Sequence, residues 1–480
     1  MTTRIFAPHR REILAGLGAS AAGLIVGGAV SAITAQLALQ ARPATLALRP
    51  GQPATPVWEL AAVSQIGNVR LRRGDRCEVV FRNHLPVPLA PAWYGLNGPA
   101  AADPLRGRAP TAPDTTETSI ISIPNAGTLL ADFRLFEDGL KLPARPLPII
   151  SGESSRAAVD RDEILLIEEW RLGPDGTAVP PGRDPKDTTP LYTINGQTSF
   201  ELSAATNERL RLRFINGSQR TVLAIKLESH EVRVMALDGQ PAEPFQARSG
   251  ALVLAPGARA DAFVDVATSA PFLLHDGKEA HQVGSLTVSG KLERREPLLP
   301  SQPLPPNDLP EKLDLKGALR FDVALGAPDA GWTRPAAFST ASPPASSTRT
   351  GRTVVLALRN ASPVTSVFHL HGHHFRLLDR LDDGCSNRWR PTGRRRGWCV
   401  GTQWVDLSAR PRPEIARVRL PLLVPRSVGL LNQCEPARFV EAARRRVALE
   451  GPERSSRSQA PFATSRSSVP TPRPWAMGST

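Results

Sequence analysis

An all-β fold of stacked sheets is what this chain predicts, and three observations predict it. Short β-branched or alternating runs recur at Glu78 to Arg82, Ile164 to Glu168, Arg209 to Ile215, Val232 to Leu237 and Thr353 to Leu358. Pro, Gly, Asn and Asp punctuate the intervals between them, which is the spacing of sandwich or barrel strands. A length of 480 residues carries a prior of about three domains.

In chain order, residues 1–42 read as an export segment. His9-Arg10-Arg11-Glu12 precedes an uncharged run of Ala, Gly, Leu, Ile and Val that lasts until Arg42. A basic start followed by a weakly apolar stretch is the form of a signal, and the paired arginines point to the twin-arginine route. The same stretch is long enough to span a bilayer, so a retained anchor stays open. Either way the expectation is a periplasmic or otherwise exported protein. Residues 43–158 and 159–293 then hold the first two groups of strand-like runs. Residues 294–313, from Arg294 to Leu313, are proline-dense and read as a semi-rigid connector. A third group opens at 314–384.

That third group contains His369-Leu370-His371-Gly372-His373-His374-Phe375, four of the nine histidines. On an extended strand His369 and His371 point to one face, roughly 6 to 7 Å apart. Neutral imidazoles so placed suit metal ions, copper above all. The plain alternative is a pair of hydrogen-bonded structural histidines.

The surrounding sequence, Val354 to Asp379, resembles the third copper-binding motif of the multicopper oxidases, H-P-x-H-L-H-G. Gly74-Asp75, Asn83-His84-Leu85 and the following PLAPAWYGLNG resemble the first motif region, which ends in H-W-H-G-L. Ala126-Gly127-Thr128 resembles the glycine-threonine entry to the second motif, Y-H-S-H. DEILLIEEW (Asp162 to Trp170), LYTING, LRLRFINGS, ALDGQ and APGARAD (Ala255 to Asp261) match milestones of the middle domain. The resemblance covers most of residues 50 to 384, in order. It implies tandem cupredoxin domains of Greek-key β-sandwich form at 43–158 and 159–293, with a third beginning at 314–384. It also implies a copper site that takes electrons from phenols or metal ions, and a trinuclear copper cluster that reduces dioxygen.

A complete centre in this family uses ten histidines and one cysteine, and nine histidines cannot supply ten. Aligned by motif, Ala92 and Tyr94 stand where the first motif has histidines. Asp132 and Arg134 replace those of the second, and Ser366 stands at the type 1 position of the third. His369 and His371 match trinuclear ligand positions, whereas His373 and His374 match none. Each pair is two residues apart and should face one cavity. A protein-only filling is expected there, with Asp132 and Arg134 in a charge-assisted hydrogen bond and Tyr94 and the histidines completing a polar network. A solvent-facing strand is the competing expectation for Asp132 and Arg134. Trp93 should pack inside the first domain, and His84, His230, His275 and His281 read as structural.

Cysteine usage points the same way. No H-C-H motif exists, because no histidine follows His374. Cys77 reads as a small core residue. Cys385, Cys399 and Cys434 leave pairing undetermined.

Residues 385–480 differ from the rest. They hold eighteen Arg, no Lys and six Asp plus Glu, a balance of +12 within the whole chain's +14. The resemblance stops at Leu381-Asp382-Asp383-Gly384. Arg-, Pro- and Ser-rich sequence without Lys or His is what a GC-rich gene yields out of frame, so a frameshift just after Gly384 is suspected. It would leave the third domain incomplete, with an open strand edge. A genuine basic tail is the other reading, with Arg394 to Arg396 and Arg444 to Arg446 able to hold anionic lipid. No nucleic-acid module frames these clusters, and nucleic acid is not an expected partner.

The expectation that ranks first is an exported family member that has lost its copper chemistry and serves as a scaffold. No resident cofactor is then expected, and copper if any. The alternatives are a copper-dependent oxidase and a frameshifted product without a role. A protein partner stays unnamed, and membrane contact through the N-terminal segment or the tail stays open.

Overall fold

The computed structural model describes residues 33–63, 68–96, 110–135, 142–153, 157–291, 299–310 and 312–325. Beyond these it describes 329, 346–347, 353–360, 366–368, 372–376, 379–380, 399–400, 403–405, 418–423 and 430–431. Residues 1–32 of the expected export segment, His369 to His371, the junction after Gly384 and the second compact unit, Glu441–Thr480, lie outside them. Residues 35–42 of that segment belong instead to the strand Ala35–Leu46, whose Leu37, Leu39 and Ala41 enter the first core, so the boundary expected at Arg42 falls inside a strand. The architecture below is that of the first unit, Met1–Val440.

The first sandwich has one sheet in the order Thr116–Ser122, Arg76–Asn83, Ala35–Leu46, Thr55–Ala62, Ala144–Arg145. Its second sheet runs Val69–Arg72, Leu147–Gly152, Gly127–Leu135, Leu89–Tyr94. Alternation explains the faces. Along Arg76–Asn83, Cys77, Val79 and Phe81 turn inward while Glu78 and Arg82 do not. They meet Leu37, Leu39, Trp58, Trp93, Phe133 and Ile149 in one core, where each large apolar side chain contributes roughly 1.5–3 kcal/mol. Cys77 is the core residue its context predicts, fully buried.

In the second sandwich, one sheet runs Thr189–Ile194, Arg161–Leu172, Arg209–Asn216, Arg259–Asp265, Arg233–Leu237, Gln240–Gln246. It faces Phe200–Thr206, Ala280–Lys291, Ala270–His275, Leu223–Leu227 and Ala251–Leu254. Leu210, Leu212 and Phe214 enter the shared core with Leu165, Ile225 and Phe272. The strand Arg209–Asn216 is buried at every position. Its other face carries Arg209, Arg211, Arg213 and Ile215, so three guanidiniums lie where a doubly covered strand is ordinarily apolar.

Residues 299–310 contain no strand, yet they pack as a strap. Leu304 is buried with Met235, Ala236 and Phe263, and Asp308 pairs with Arg73 at 2.6 Å.

The third sheet begins with Leu319–Leu325, parallel to Thr353–Asn360. The other edge of Thr353–Asn360 is paired by a segment that lies after Gly384, the region where a broken frame was expected to leave an open strand edge. Val418–Leu423 runs antiparallel along it, Thr353 opposite Leu423, and His374–Phe375 and Cys399–Val400 follow. An unpaired row of backbone N–H and C=O groups recruits any alternating segment within reach, and Val418, Leu420 and Leu422 supply a period of two.

Candidate functional site

The strand Leu89–Tyr94 is buried at all six positions. It pairs antiparallel with Gly127–Leu135, which sets Ala90 opposite Arg134, Ala92 opposite Asp132 and Tyr94 opposite Leu130. Trp93 points into the first-sandwich core, as its position in the motif implies. The two-residue period therefore turns Ala92 and Tyr94 to the other face.

That face presents an apolar seam to Tyr94. Its ring packs with Leu130 and Ile150 of the first sandwich and Ile164, Leu166 and Ile215 of the second. Five aliphatic side chains close around the ring because the second sandwich docks there. Asp132 is only 7% exposed, which removes the solvent-facing reading of this strand at that position. Its Oδ1 accepts the Phe133 N–H at 2.8 Å. The side chains of Arg134 and Ser366, and the whole of His369 and His371, lie outside the described residues.

Beside this seam lies a charge network that motif comparison missed. Asp261, 1% exposed, accepts from Arg211 Nη2 at 2.6 Å, Arg213 Nη1 at 2.9 Å and Thr128 Oγ1 at 2.5 Å. Arg213 also reaches Asp162, at 2.5 and 2.8 Å, and Arg211 reaches Glu153 at 2.7 Å. Burial pushes the Asp261 carboxyl upward, but the Arg213 and Arg211 guanidiniums and the Thr128 hydroxyl outweigh it and hold it below the usual carboxylate range. Three carboxylates against two guanidiniums make these buried charges tolerable, since each is paired and hydrogen-bonded. The sequence signal was available in the spacing Arg209-Leu-Arg-Leu-Arg213, with Asp162 and Asp261 on the neighbouring strands.

Arg259 forms a second node. Its Nε donates to the Thr128 carbonyl at 3.0 Å and its Nη2 to the Asp238 carbonyl at 2.9 Å. Its Nη1 lies 3.4 Å from the Asp238 carboxylate. Thr128, from the glycine-threonine step of the first sandwich, is thus grasped by both nodes of the second.

Copper sites require imidazole or thiolate donors in number. Among the described residues no group of three or more His, Cys, Asp and Glu is placed to hold a metal ion. At the first two motifs the described positions offer a methyl group at Ala92, a phenol in aliphatic surroundings at Tyr94 and one carboxylate at Asp132. The Arg259 Nη2 lies 3.2 Å from where a Cβ on Gly95 would stand, and a fixed cation beside Tyr94 opposes a metal charge. The described residues therefore do not fit a copper cluster.

Two complete sandwiches, a packed strap and a third sheet define a multidomain cupredoxin architecture. Family models described as multicopper oxidase match residues 166–287 and 312–407. The multicopper oxidase MmcO of Mycobacterium tuberculosis is 25% identical over 376 residues, 65% of this chain and 70% of that protein. Among solved structures, a multi-copper oxidase from Pseudomonas thermotolerans superposes with a TM-score of 0.64 at 22% identity, covering 81% of this chain and 93% of that one. Lac15 from a marine microbial metagenome superposes at 0.61 with 24% identity, covering 85% and 97%. Together these matches support a laccase-like member of the multicopper oxidase family, which is a copper-binding family.

Proposed function

We propose that this chain is an exported multicopper-oxidase-family protein that has lost most of its copper ligands and acts as a non-catalytic cupredoxin scaffold. One observation carries the reading. Where the first two motifs place four histidines, this chain has Ala92, Tyr94, Asp132 and Arg134, and Tyr94 is built into the seam between two sandwiches. A position that has become part of an apolar interface has a packing role in place of a ligand role. Residual copper contact is assigned to His369 and His371 alone. The pair Arg10-Arg11 supports export through the twin-arginine route.

The second reading is a copper-dependent oxidoreductase that couples phenol or metal oxidation to dioxygen reduction. Family membership and the retained His369 and His371 favour it. Elemental analysis of the purified chain after copper loading, with an oxygen electrode and a scan for the blue thiolate-to-copper band, separates the two. The scaffold reading expects less than one copper per chain, no blue band and no oxygen uptake. Several coppers per chain with that band and steady oxygen consumption would replace it with the oxidase. Resequencing the gene around the Gly384 codon bears on the tail: a one-base change that restores an H-C-H ending supports the oxidase in its uninterrupted form.

A further inference from the structure

Where the third sheet meets the first two sandwiches, one histidine is held by groups from both. His374 is 5% exposed. Its Nε2 lies 3.1 Å from Asn125 Nδ2 of the first sandwich and 3.4 Å from Gln240 Nε2 of the second. Asn307 of the strap completes the joint. The polarity of this chain of contacts is fixed at its far end by backbone. The Ala126 N–H donates to Asn307 Oδ1 at 2.9 Å, and a backbone N–H cannot do otherwise. The other end of that amide, Asn307 Nδ2, is therefore a donor, and it donates to the Ala126 carbonyl and to Gln240 Oε1, both at 3.0 Å. Gln240 must then offer its Nε2 to His374. Reversing Asn307 or Gln240 sets donor against donor, and reversing Asn125 sets its oxygen against the nitrogen that accepts from Gln240.

Two amide donors thus converge on His374 Nε2, which must be an acceptor. The ring is neutral with its proton on Nδ1, and that Nδ1 is buried with no hydrogen-bond partner. Burial first, then the His373 ring next to it in the chain and the Arg259 guanidinium, lower its affinity for a second proton to a pKa of about 3. Those two are the described charged groups that bear on the ring, and Asp238 holds Arg259 in turn. Asn125, Gln240 and Asn307, which reach the joint from the first sandwich, the second and the strap, are uncharged amides.

We propose that this joint is an acid-released clasp: a proton on His374 Nε2 turns the acceptor into a donor facing two donors and frees Gly372 to Arg376 from the first two sandwiches. The sign follows from linkage. The freed ring takes a proton near its ordinary value of 6.5, while the clasped ring does not. The clasp is therefore fully formed above about pH 6.5, and its opening equilibrium rises up to about tenfold per pH unit as pH falls toward the clasped value.

Hydrogen exchange of the full chain, read by mass spectrometry between about pH 7.5 and 4.5 and corrected for intrinsic rates, tests this. Protection of peptides covering 372–376 should fall by up to about tenfold per unit below about pH 6.5, while Arg161–Leu172 and Arg209–Asn216 hold theirs. In His374→Gln, which keeps an acceptor and cannot titrate, the profile should be flat. A flat wild-type profile, or the wild-type slope in His374→Gln, overturns the clasp. Should His374→Gln fail to accumulate, Gln240→Glu decides: its carboxylate accepts from the protonated ring and lifts the clasped value above the free one. Protection should then rise as pH falls toward about 6.5 and stay level below it, and a wild-type fall below about pH 6.5 overturns the proposal.

Discussion

Gly127 and Gly239 touch backbone to backbone across the joint between the first two sandwiches, and a Cβ on Gly127 would stand 2.2 Å from the Gly239 carbonyl oxygen. Gly127 sits at φ 139°, where side chains are strained. A Cβ on Gly239 would in turn lie 2.9 Å from the Thr128 carbonyl. The glycine-threonine step that marks the second motif in sequence is here a docking point, which brings Thr128 to Asp261 and Arg259.

Gly127→Ala should therefore cost on the order of 3 kcal/mol or more, because clash and backbone strain add and neither neighbour is a flexible side-chain end. Urea unfolding of the purified chain reads this out. A change within about 0.5 kcal/mol would mean that the two sandwiches are not seated this closely.

Asp261→Asn should cost roughly 3–5 kcal/mol by leaving Arg211 and Arg213 short of a buried counter-charge. Because Arg213 and Arg211 overcome burial to hold its carboxyl below the usual range, the wild-type contribution is present above about pH 4, the unfolded value. It is lost as pH falls through the lower folded value. Melting temperatures from about pH 5 down to 2 should fall more steeply in the wild type than in Asp261→Asn, and parallel curves would refute the assignment.

Restoring both first-motif histidines, Ala92→His with Tyr94→His, should lower stability by roughly 2 kcal/mol, because imidazoles replace a methyl and a packed ring in the seam. It should not confer oxygen consumption in copper-supplemented buffer, since the second motif stays unligated. An active double variant would show that the seam remains able to receive metal.

The Cys77 thiol should resist alkylation in the folded chain. It is fully buried, and burial, helped by Asp75 and Glu78, pushes it up to about 11, so thiolate is scarce near pH 8. Peptide mapping after iodoacetamide should find it unmodified until denaturant is added, and rapid native labelling would count against the buried placement.

Strand periodicity carried much of this fold in advance. The runs at 78–82, 164–168, 209–215 and 353–358 all fall inside observed strands, and Trp93 and Cys77 lie in the core where alternation and motif put them. The apolar company of the Tyr94 ring was not legible in advance, because Ile164 and Leu166 come from a strand of another sandwich. The strap between 299 and 310 was legible as a connector but not as a packed element. Leu304 and Asn307 follow no period, and their partners lie far away in the chain.

By itself the sequence determined local matters: which segments extend, which faces they bury, and which motif positions lack imidazole. Those follow from side-chain alternation and residue chemistry, which act over a few residues. Only the tertiary structure decided that Arg211 and Arg213 are buried, that Gly127 meets Gly239, and that Asn125 and Gln240 meet at His374 while Asn307 ties Gln240 to the backbone of Ala126. Each of these depends on surfaces brought together from different sandwiches, and no spacing along one strand encodes which surface will cover it.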